Sequence, residues 1–401
     1  MTFLKGVPSL LHVSWHLLAD TPNGASITAR EYATALVRQG WNVSTFSGPA
    51  VDGVQPAYLE NTLRQQGFVV RKNIDRPDFS ILSYNDSGIH TVVFSPNEGV
   101  SRPSFFSGNL FLELYERTLL KLRPDIVTTY GGYEYGSEIL SLARSCGAKT
   151  VVYLQNFAYN EADYFKRSDL TIVPSQYSAD FYRKRLGINT SVVPPLIDPR
   201  YVVPEVLDRE ERRYVLFVNP SRNKGVACFI AIVRAMAKRR PDIKFLVVEG
   251  SSRVNDLKGL APEIETLNNV FWMHNCSFPS AFYRLAKVAI VPSLFEESFC
   301  RVAVESMMAG IPTIVSDRGA LPETVGDGGI VLSIPSQYQP ETTSIPSERD
   351  VIQWLESIEH ICDDETFREQ ICARGFLQAE RYRYSTIVNR LKERLYNLYN
   401  N

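Results

Sequence analysis

The stretch AKVAIVPSLFEESFCRVAVESMMAGIPTIVSD, residues 286–317, reads as one complete strand–helix–strand unit. VAIVPS is a short β-branched run ending in a Pro-Ser turn, and FCRVAVESMM carries its apolar residues at helical spacing. Ala309-Gly310-Ile311-Pro312 stops the helix, and PTIVSD resumes an extended run. Strands joined through a helix pair in parallel, so the unit predicts a parallel sheet with helices on its faces. Of the acids that interrupt it, Glu297 stands before the helix and Glu305 within it, in a segment otherwise bound for a core.

The same rhythm continues in both directions. LLHVSW, WNVSTFS, TVVFS, DIVTTY, TVVYL, LTIVPS and SVVPP read as strands of a first half; YVLFVN, KFLVVEG, NVFWMH, VAIVPS and PTIVSD read as strands of a second. Helical patterns lie between them, such as ASITAREYATALVRQG, ending on Gly40, and GVACFIAIVRAMAKRR, whose basic last turn suits the negative end of the helix dipole. The expected fold class is therefore α/β, with two doubly wound, Rossmann-like domains. The Pro-rich, charged segment from Val193 to Glu211 marks the seam, giving an N-terminal domain over 1–195 and a second domain from 196. A cleft between two such domains is the expected ligand site. Residues 335–347, PSQYQPETTSIPS, read as a polar surface loop.

Composition narrows the function. The 401 residues carry 43 Lys and Arg against 44 Asp and Glu, a net charge of −1, so no global field draws nucleic acid or an anionic membrane. No segment approaches the roughly 20 apolar residues of a membrane span, and the expectation is a soluble, cytoplasmic protein, at most peripheral at the inner membrane face. Within residues 1–195 the one basic cluster, Arg183-Lys184-Arg185, ends a helix and reads as dipole compensation. Six cysteines without CxxC spacing fit reduced core thiols. HExxH, DxD, GxSxG, GxxxxGK[ST] and GxGxxG are all missing, which argues against a catalytic metal, a hydrolase elbow, a P-loop and a dinucleotide fold.

The two acids can be weighed by geometry. A helix over 298–308 would separate Glu297 and Glu305 by about 12 Å, close to the span of a sugar nucleotide from hexose to ribose. First-turn N–H groups at Arg301, Val302 and Ala303 would lie between the acids and favour an anion such as a diphosphate. An ionised carboxylate accepts two hydrogen bonds from a vicinal diol. On spacing alone, a dipole-complementing Glu297 and an Arg-paired Glu305 fit equally well. A second element favours the ligand: in PSRNKGVACF, residues 220–229, Arg222 and Lys224 sit on a loop directly before a helix, where cations oppose the dipole unless an anion is bound.

The run VPSLFEESFCRVAVESMMAGIPTIVSDRGALPETVGDGGIVL, residues 291–332, resembles the nucleotide-sugar motif of retaining glycosyltransferases of the GT-B fold, family 4 type: Glu-x7-Glu, an Ala-Gly-x-Pro turn, then Pro-Glu before a Gly-rich stretch. PNGASITAREYATALVRQGWNV resembles the family's N-terminal glycine loop and helix, SRNKG its basic donor loop, and RYRYSTIVNRLKERLYNLY the terminal helix that crosses back to the first domain. The resemblance implies two Rossmann-like domains facing across a cleft, an acceptor-binding domain over 1–195, a donor-binding domain over 196–378 and a returning helix over 379–401.

It further implies a nucleoside diphosphate sugar as donor, a uridine donor favoured over GDP-mannose, no cofactor and no metal. Glu297 would contact the hexose, Glu305 the ribose, and Arg222 with Lys224 the diphosphate; Gly24 would let backbone approach the donor, and Ser298, Phe299 and Val302 complete the donor turn. Departures are visible: Ser298-Phe299-Cys300 stands where Gly-Phe-Gly is common, Arg222 and Lys224 are closer together than usual, and Gln155-Asn156 stands where a His is common. His16, Tyr130, Gln155 and Asn156, at strand ends of the first half, are the acceptor-pocket candidates, for a carbohydrate, glycolipid or small-molecule acceptor. The competing readings are a sugar-nucleotide epimerase or hydrolase, and a catalytically silent sugar-nucleotide-binding protein.

Overall fold

The β-branched runs pair into two separate sheets. In the computed structural model the described residues are 6–19, 24–51, 58–97, 102–130, 135–205, 211–250, 252–257, 259–276 and 278–400; Pro22 and Asn23 of the expected glycine loop lie outside them, as does part of the expected seam. The chain forms two compact units. The first comprises Met1–Pro174, Ser178–Leu196 and Ile387–Asn401, the second Ser175–Tyr177 and Ile197–Thr386.

Among the described residues, unit 1 holds nine strands: β1 (Ser9–His16), β2 (Asn42–Ala50), β3 (Arg71–Asp75), β4 (Phe79–Asp86), β5 (Ile89–Pro96), β6 (Ile126–Thr129), β7 (Lys149–Tyr153), β8 (Leu170–Val173) and β9 (Ser191–Val192), in the order β3-β4-β5-β2-β1-β6-β7-β8-β9. Pairing is parallel from β5 to β9, and antiparallel in β3–β4 and β4–β5. The sheet is thus mixed, with an antiparallel edge that the strand reading above does not contain. β4 and β5 turn over Ser87 and Gly88, both at positive φ (53° and 88°), as a two-residue primed hairpin demands. β3 is exposed along its whole length, as suits a charged edge strand.

Unit 2 holds β10 (Tyr214–Val218), β11 (Lys244–Val248), β12 (Val270–Met273), β13 (Ala286–Val291), β14 (Thr313–Ser316) and β15 (Ile330–Leu332), all parallel, in the order β12-β11-β10-β13-β14-β15. Alternate residues feed two cores. Val215, Phe217, Phe245, Val247, Val288, Ile290 and Ile314 point to one face, and Leu216, Leu246, Val248, Ala289, Val291 and Val315 to the other. A sheet buried on both faces explains why these strands read as continuous apolar runs.

Three expectations need correction. The helix after β13 spans Arg301–Met308 and starts three residues later than expected, because Cys300 adopts the left-handed conformation (φ 88°, ψ 88°), which cannot continue a right-handed helix. The 335–347 segment is irregular but not wholly superficial, since Tyr338 is buried and donates its hydroxyl to Asp350. Of the six free cysteines only Cys228 and Cys300 are buried. The last helix, Tyr384–Asn400, belongs to unit 1 from Ile387 onward; it buries Ile387, Val388, Leu391 and Leu395 and sets Tyr396 edge-on against Trp41 at 5.1 Å. Among the described residues no helix is long and apolar enough to cross a membrane.

Candidate functional site

Parallel α/β sheets gather their loops at the carboxyl ends of the strands, where ligands bind. In unit 2 that edge carries the 219–225 loop after β10 and the 292–300 loop after β13, and β10 and β13 are neighbours. The backbone of Asn223 ties the two loops together, its carbonyl accepting from the N–H groups of Leu294 (3.0 Å) and Phe295 (3.1 Å). Gly225, the left-handed N-cap of the helix Val226–Arg239, allows the close approach: a Cβ there would stand 1.7 Å from the Pro292 carbonyl oxygen. From the other side, Gly319 and Ala320 clamp Glu297. A Cβ on Gly319 would lie 2.3 Å from the Glu297 carbonyl oxygen, which accepts the Ala320 N–H at 2.7 Å.

This docking delivers Lys224 to Glu297. The ammonium donates to Glu297 Oε1 at 2.7 Å, and Ser293 Oγ donates to the same oxygen at 2.7 Å. Glu297 is 5% exposed, whereas about a third of the Lys224 side chain is open. Burial pulls the Lys224 ammonium down, but the Glu297 carboxylate outweighs it, and the net shift is upward. Lys224 is therefore charged, with further N–H donors to spend beyond the one given to Glu297. Cys300 lies beside the pair. Burial first, then the Glu297 carboxylate, push its thiol up to about 12, so it stays neutral.

Glu305, in the second turn of the helix Arg301–Met308, is 7% exposed. Its Oε2 accepts from Tyr283 Oη at 2.8 Å and its Oε1 lies 3.3 Å from Arg301 Nη2. Burial and then Glu305 itself hold the Tyr283 phenol well above its ordinary value, so it remains a donor. A carboxylate has about four lone-pair sites, and these two partners leave capacity for two more hydrogen bonds. The helix start between the acids has no side-chain cap.

The other donor-side candidates separate. Arg222 is exposed and lines a cavity of about 320 Å³ with Pro220, Ser221, Asn223, Ser252, Leu257 and Leu260. Phe299 buries its ring edge-on against Tyr382 at 5.3 Å, so only its backbone can serve a ligand; Ser298 and Val302 are half-buried. In unit 1, Gly24 opens the helix Gly24–Arg38, and a Cβ there would meet open space. His16 ends β1, and Tyr130 and Gln155-Asn156 follow β6 and β7; the three strands are adjacent, so topology sets these residues along one edge of the unit 1 sheet. Tyr130 is buried and shares a 2.8 Å hydrogen bond with Ser26, Asn156 spends its side-chain oxygen on the Ala158 N–H, and His16 and Gln155 are half-buried. Among the described residues no three His, Cys, Asp or Glu side chains come together as a ligand set.

Two arrangements escape a reading of the sequence. Glu249, after β11, accepts from His274 Nδ1 at 2.5 Å, His274 following β12; the partners are remote in sequence and meet only because the strands pair. His12, inside the apolar run of β1, is 1% exposed, with Nδ1 3.0 Å from Thr128 Oγ1 and Nε2 unpartnered.

Comparison with known proteins places this architecture. Residues 22–201 match the model of the family described as Glycosyltransferase Family 4, and residues 199–375 that of Glycosyl transferases group 1, so together the two models run without a gap from 22 to 375. The chain is 28% identical over 244 residues to the lipopolysaccharide 1,2-N-acetylglucosaminetransferase of Salmonella typhimurium, a match covering 53% of this chain and 62% of that protein. It thus spans less than two thirds of that curated relative. Its fold superposes on sucrose-phosphate synthase from Thermosynechococcus elongatus with a TM-score of 0.70 at 17% identity, covering 98% and 99% of the two chains. It superposes on Anabaena Alr3699/HepE, solved in complex with UDP, with a TM-score of 0.65 at 14% identity, covering 97% and 100%. The chain belongs to the family 4, group 1 glycosyltransferases and has their GT-B fold of two Rossmann-like units.

Proposed function

We propose that this protein is a retaining, metal-independent glycosyltransferase that moves a hexosyl group from a nucleoside diphosphate sugar, UDP-linked in the favoured case, to a hydroxyl of a carbohydrate, glycolipid or small-molecule acceptor. The observation that carries the reading is the Lys224–Glu297 pair at an uncapped helix start, with a second buried acid, Glu305, one turn further on. Both protein hydrogen bonds to Glu297 fall on Oε1, which leaves Oε2 to accept from a hexose hydroxyl. Glu305 accepts from the ribose hydroxyls with its remaining lone pairs. The Lys224 ammonium and the first-turn N–H groups hold the diphosphate between them.

In this reading the acceptor hydroxyl attacks the anomeric carbon from the face the diphosphate leaves. The bond from the anomeric carbon to the phosphate oxygen breaks with its electron pair going to that oxygen, the new C–O bond forms, and the acceptor proton passes to the departing phosphate oxygen. The protein positions the two reactants and stabilises charge on the leaving group, where Lys224 supplies the cation that a metal would otherwise provide. The UDP complex of HepE and the lipopolysaccharide substrate named for the Salmonella enzyme support a uridine donor and a saccharide acceptor.

The test is NMR of the glycoside formed from UDP-hexose and an acceptor panel, with and without EDTA. The expected product keeps the donor's anomeric configuration, at a rate chelation leaves unchanged. An inverted product, or full loss in EDTA restored by Mg²⁺ or Mn²⁺, overturns the reading.

A further inference from the structure

Arg212 lies just before β10, yet its guanidinium closes on the far end of the helix Arg301–Met308. That helix ends in a Schellman motif: Gly310 stands at φ 65°, its N–H donates to the Met307 carbonyl at 3.0 Å, and the Ile311 N–H donates to the Ser306 carbonyl at 2.9 Å. The motif leaves the carbonyls of Ala309 and Gly310 to other donors, and Arg212 takes both. Nη1 donates to the Gly310 oxygen and Nη2 to the Ala309 oxygen, each at 2.6 Å. A planar fork on two acceptors fixes direction as well as distance, which a single ammonium contact does not, and a cation there suits the negative end of the helix dipole. Cys372 Sγ lies 3.3 Å from the same Gly310 oxygen, and Phe376 covers Gly310, where a Cβ would stand 2.7 Å from its ring.

β13 and β14 are parallel, so the helix between them runs from the carboxyl edge of the sheet back to the amino edge. Its two ends are about 12 Å apart. β10 holds both of them: the loop at its carboxyl end brings Lys224 to Glu297, ahead of the first turn, and Arg212 at its amino end takes the carbonyls beyond the last. Arg212 stands on a fixed backbone, since the N–H groups of Arg213 and Tyr214 donate to the Leu285 carbonyl at 3.0 and 3.1 Å. A helix of 8 residues is too short to hold its own place, so its ends decide where it sits. Ala309, whose carbonyl Arg212 holds, gives its own N–H to the Glu305 carbonyl at 2.9 Å, which puts the fork one helical turn from that acid.

We infer that Arg212 is a positioning residue for donor binding: by fixing where the helix Arg301–Met308 ends, it sets where Glu305 and the first-turn N–H groups stand. This rests on the donor reading above and deepens it. Arg212 acts through the helix, from its far end, and not on the donor.

The experiment is calorimetric titration of UDP-glucose into the wild-type chain, Arg212→Ala, Arg212→Lys and Arg213→Ala. Misfolded chains lower the number of binding sites, whereas a displaced helix weakens the sites that remain, so stability and positioning read out separately. Arg212→Ala is expected to bind about tenfold more weakly at full site number, since a helix moved by a fraction of an ångström loses aligned hydrogen bonds. Arg212→Lys keeps the charge, gives up the fork and is expected to lose about threefold; it carries the test if Arg212→Ala does not fold. Arg213→Ala removes the exposed cation next in sequence and is expected to bind like wild type. Unchanged affinity in the Arg212 variants, whether or not sites are lost, or an equal loss in Arg213→Ala, overturns the inference and leaves the donor site standing. A wild type that binds no UDP-glucose overturns the inference and the uridine donor together.

Discussion

Glu297 and Glu305 could be marked from sequence because ionised side chains inside an apolar run need a reason, and Lys224 because a cation before a helix opposes its dipole. The pairing of Lys224 with Glu297 at 2.7 Å was beyond the sequence, since it needs Gly225 and Gly319 to bring separate loops into backbone contact. Arg222, two residues from Lys224, is exposed and lines a cavity with Ser252, Leu257 and Leu260, partners remote in sequence that a reading of the loop alone does not supply. His12 was invisible as a titrating group within the apolar run LLHVSW. Burial lowers its pKa from 6.5 to about 3, so the unfolded chain takes up a proton before the folded one does. Its contribution to stability is intact above pH 6.5 and is lost as pH falls toward 3. Across that window wild-type unfolding free energy is expected to fall by up to about 1.4 kcal/mol per pH unit from this group alone, and His12→Gln to be flatter by that amount in urea titrations at several pH values. Parallel pH profiles for the two proteins would contradict the assignment.

Elements were legible where burial imposes a pattern. The strands of unit 2 from β10 to β14 sit between two cores and read as apolar runs. β3 (RKNID) is exposed throughout and has no such pattern, and β15 has only three residues. β4 did leave a signal, the Ser87-Gly88 dipeptide that follows Asp86 and makes the primed turn into β5. The 219–225 loop and the start of the Arg301–Met308 helix are set by left-handed residues, and each can be tested. Gly225→Ala combines a left-handed φ of 81° with a collision against Pro292, and is expected to lower unfolding free energy by about 2 kcal/mol or more. Cys300 holds φ 88° without glycine's freedom, so Cys300→Gly should stay within about 1 kcal/mol of wild type, while Cys300→Val, branched at Cβ, falls below it by about 2 kcal/mol. Denaturant unfolding that ranked Val above Gly at position 300 would remove left-handed strain as the reason the helix starts at Arg301.

At the scale of the whole molecule, two α/β halves followed from the alternation of strand and helix alone, whereas the attachment of the C-terminal helix to unit 1 came only with the family resemblance. Physically it rests on Ile387, Val388, Leu391 and Leu395, four apolar side chains buried there, with Tyr396 against Trp41 and Lys392 within 3.1 Å of Gln39. At about 1.5–3 kcal/mol for each buried side chain, deleting residues 384–401 is expected to destabilise unit 1 by several kcal/mol and produce an early step in denaturant unfolding; a truncated chain that unfolds like the intact one would refute that anchoring. The account stands or falls on the donor site. Calorimetric titration of UDP-hexose into wild type, Glu305→Ala and Glu297→Gln tests it most directly. The prediction is saturable binding to wild type, weakened by about 1.5–3 kcal/mol in Glu305→Ala, the loss of charge-assisted hydrogen bonds, and nearly preserved in Glu297→Gln, whose turnover falls instead. Equal affinity and equal turnover in all three proteins would contradict the account.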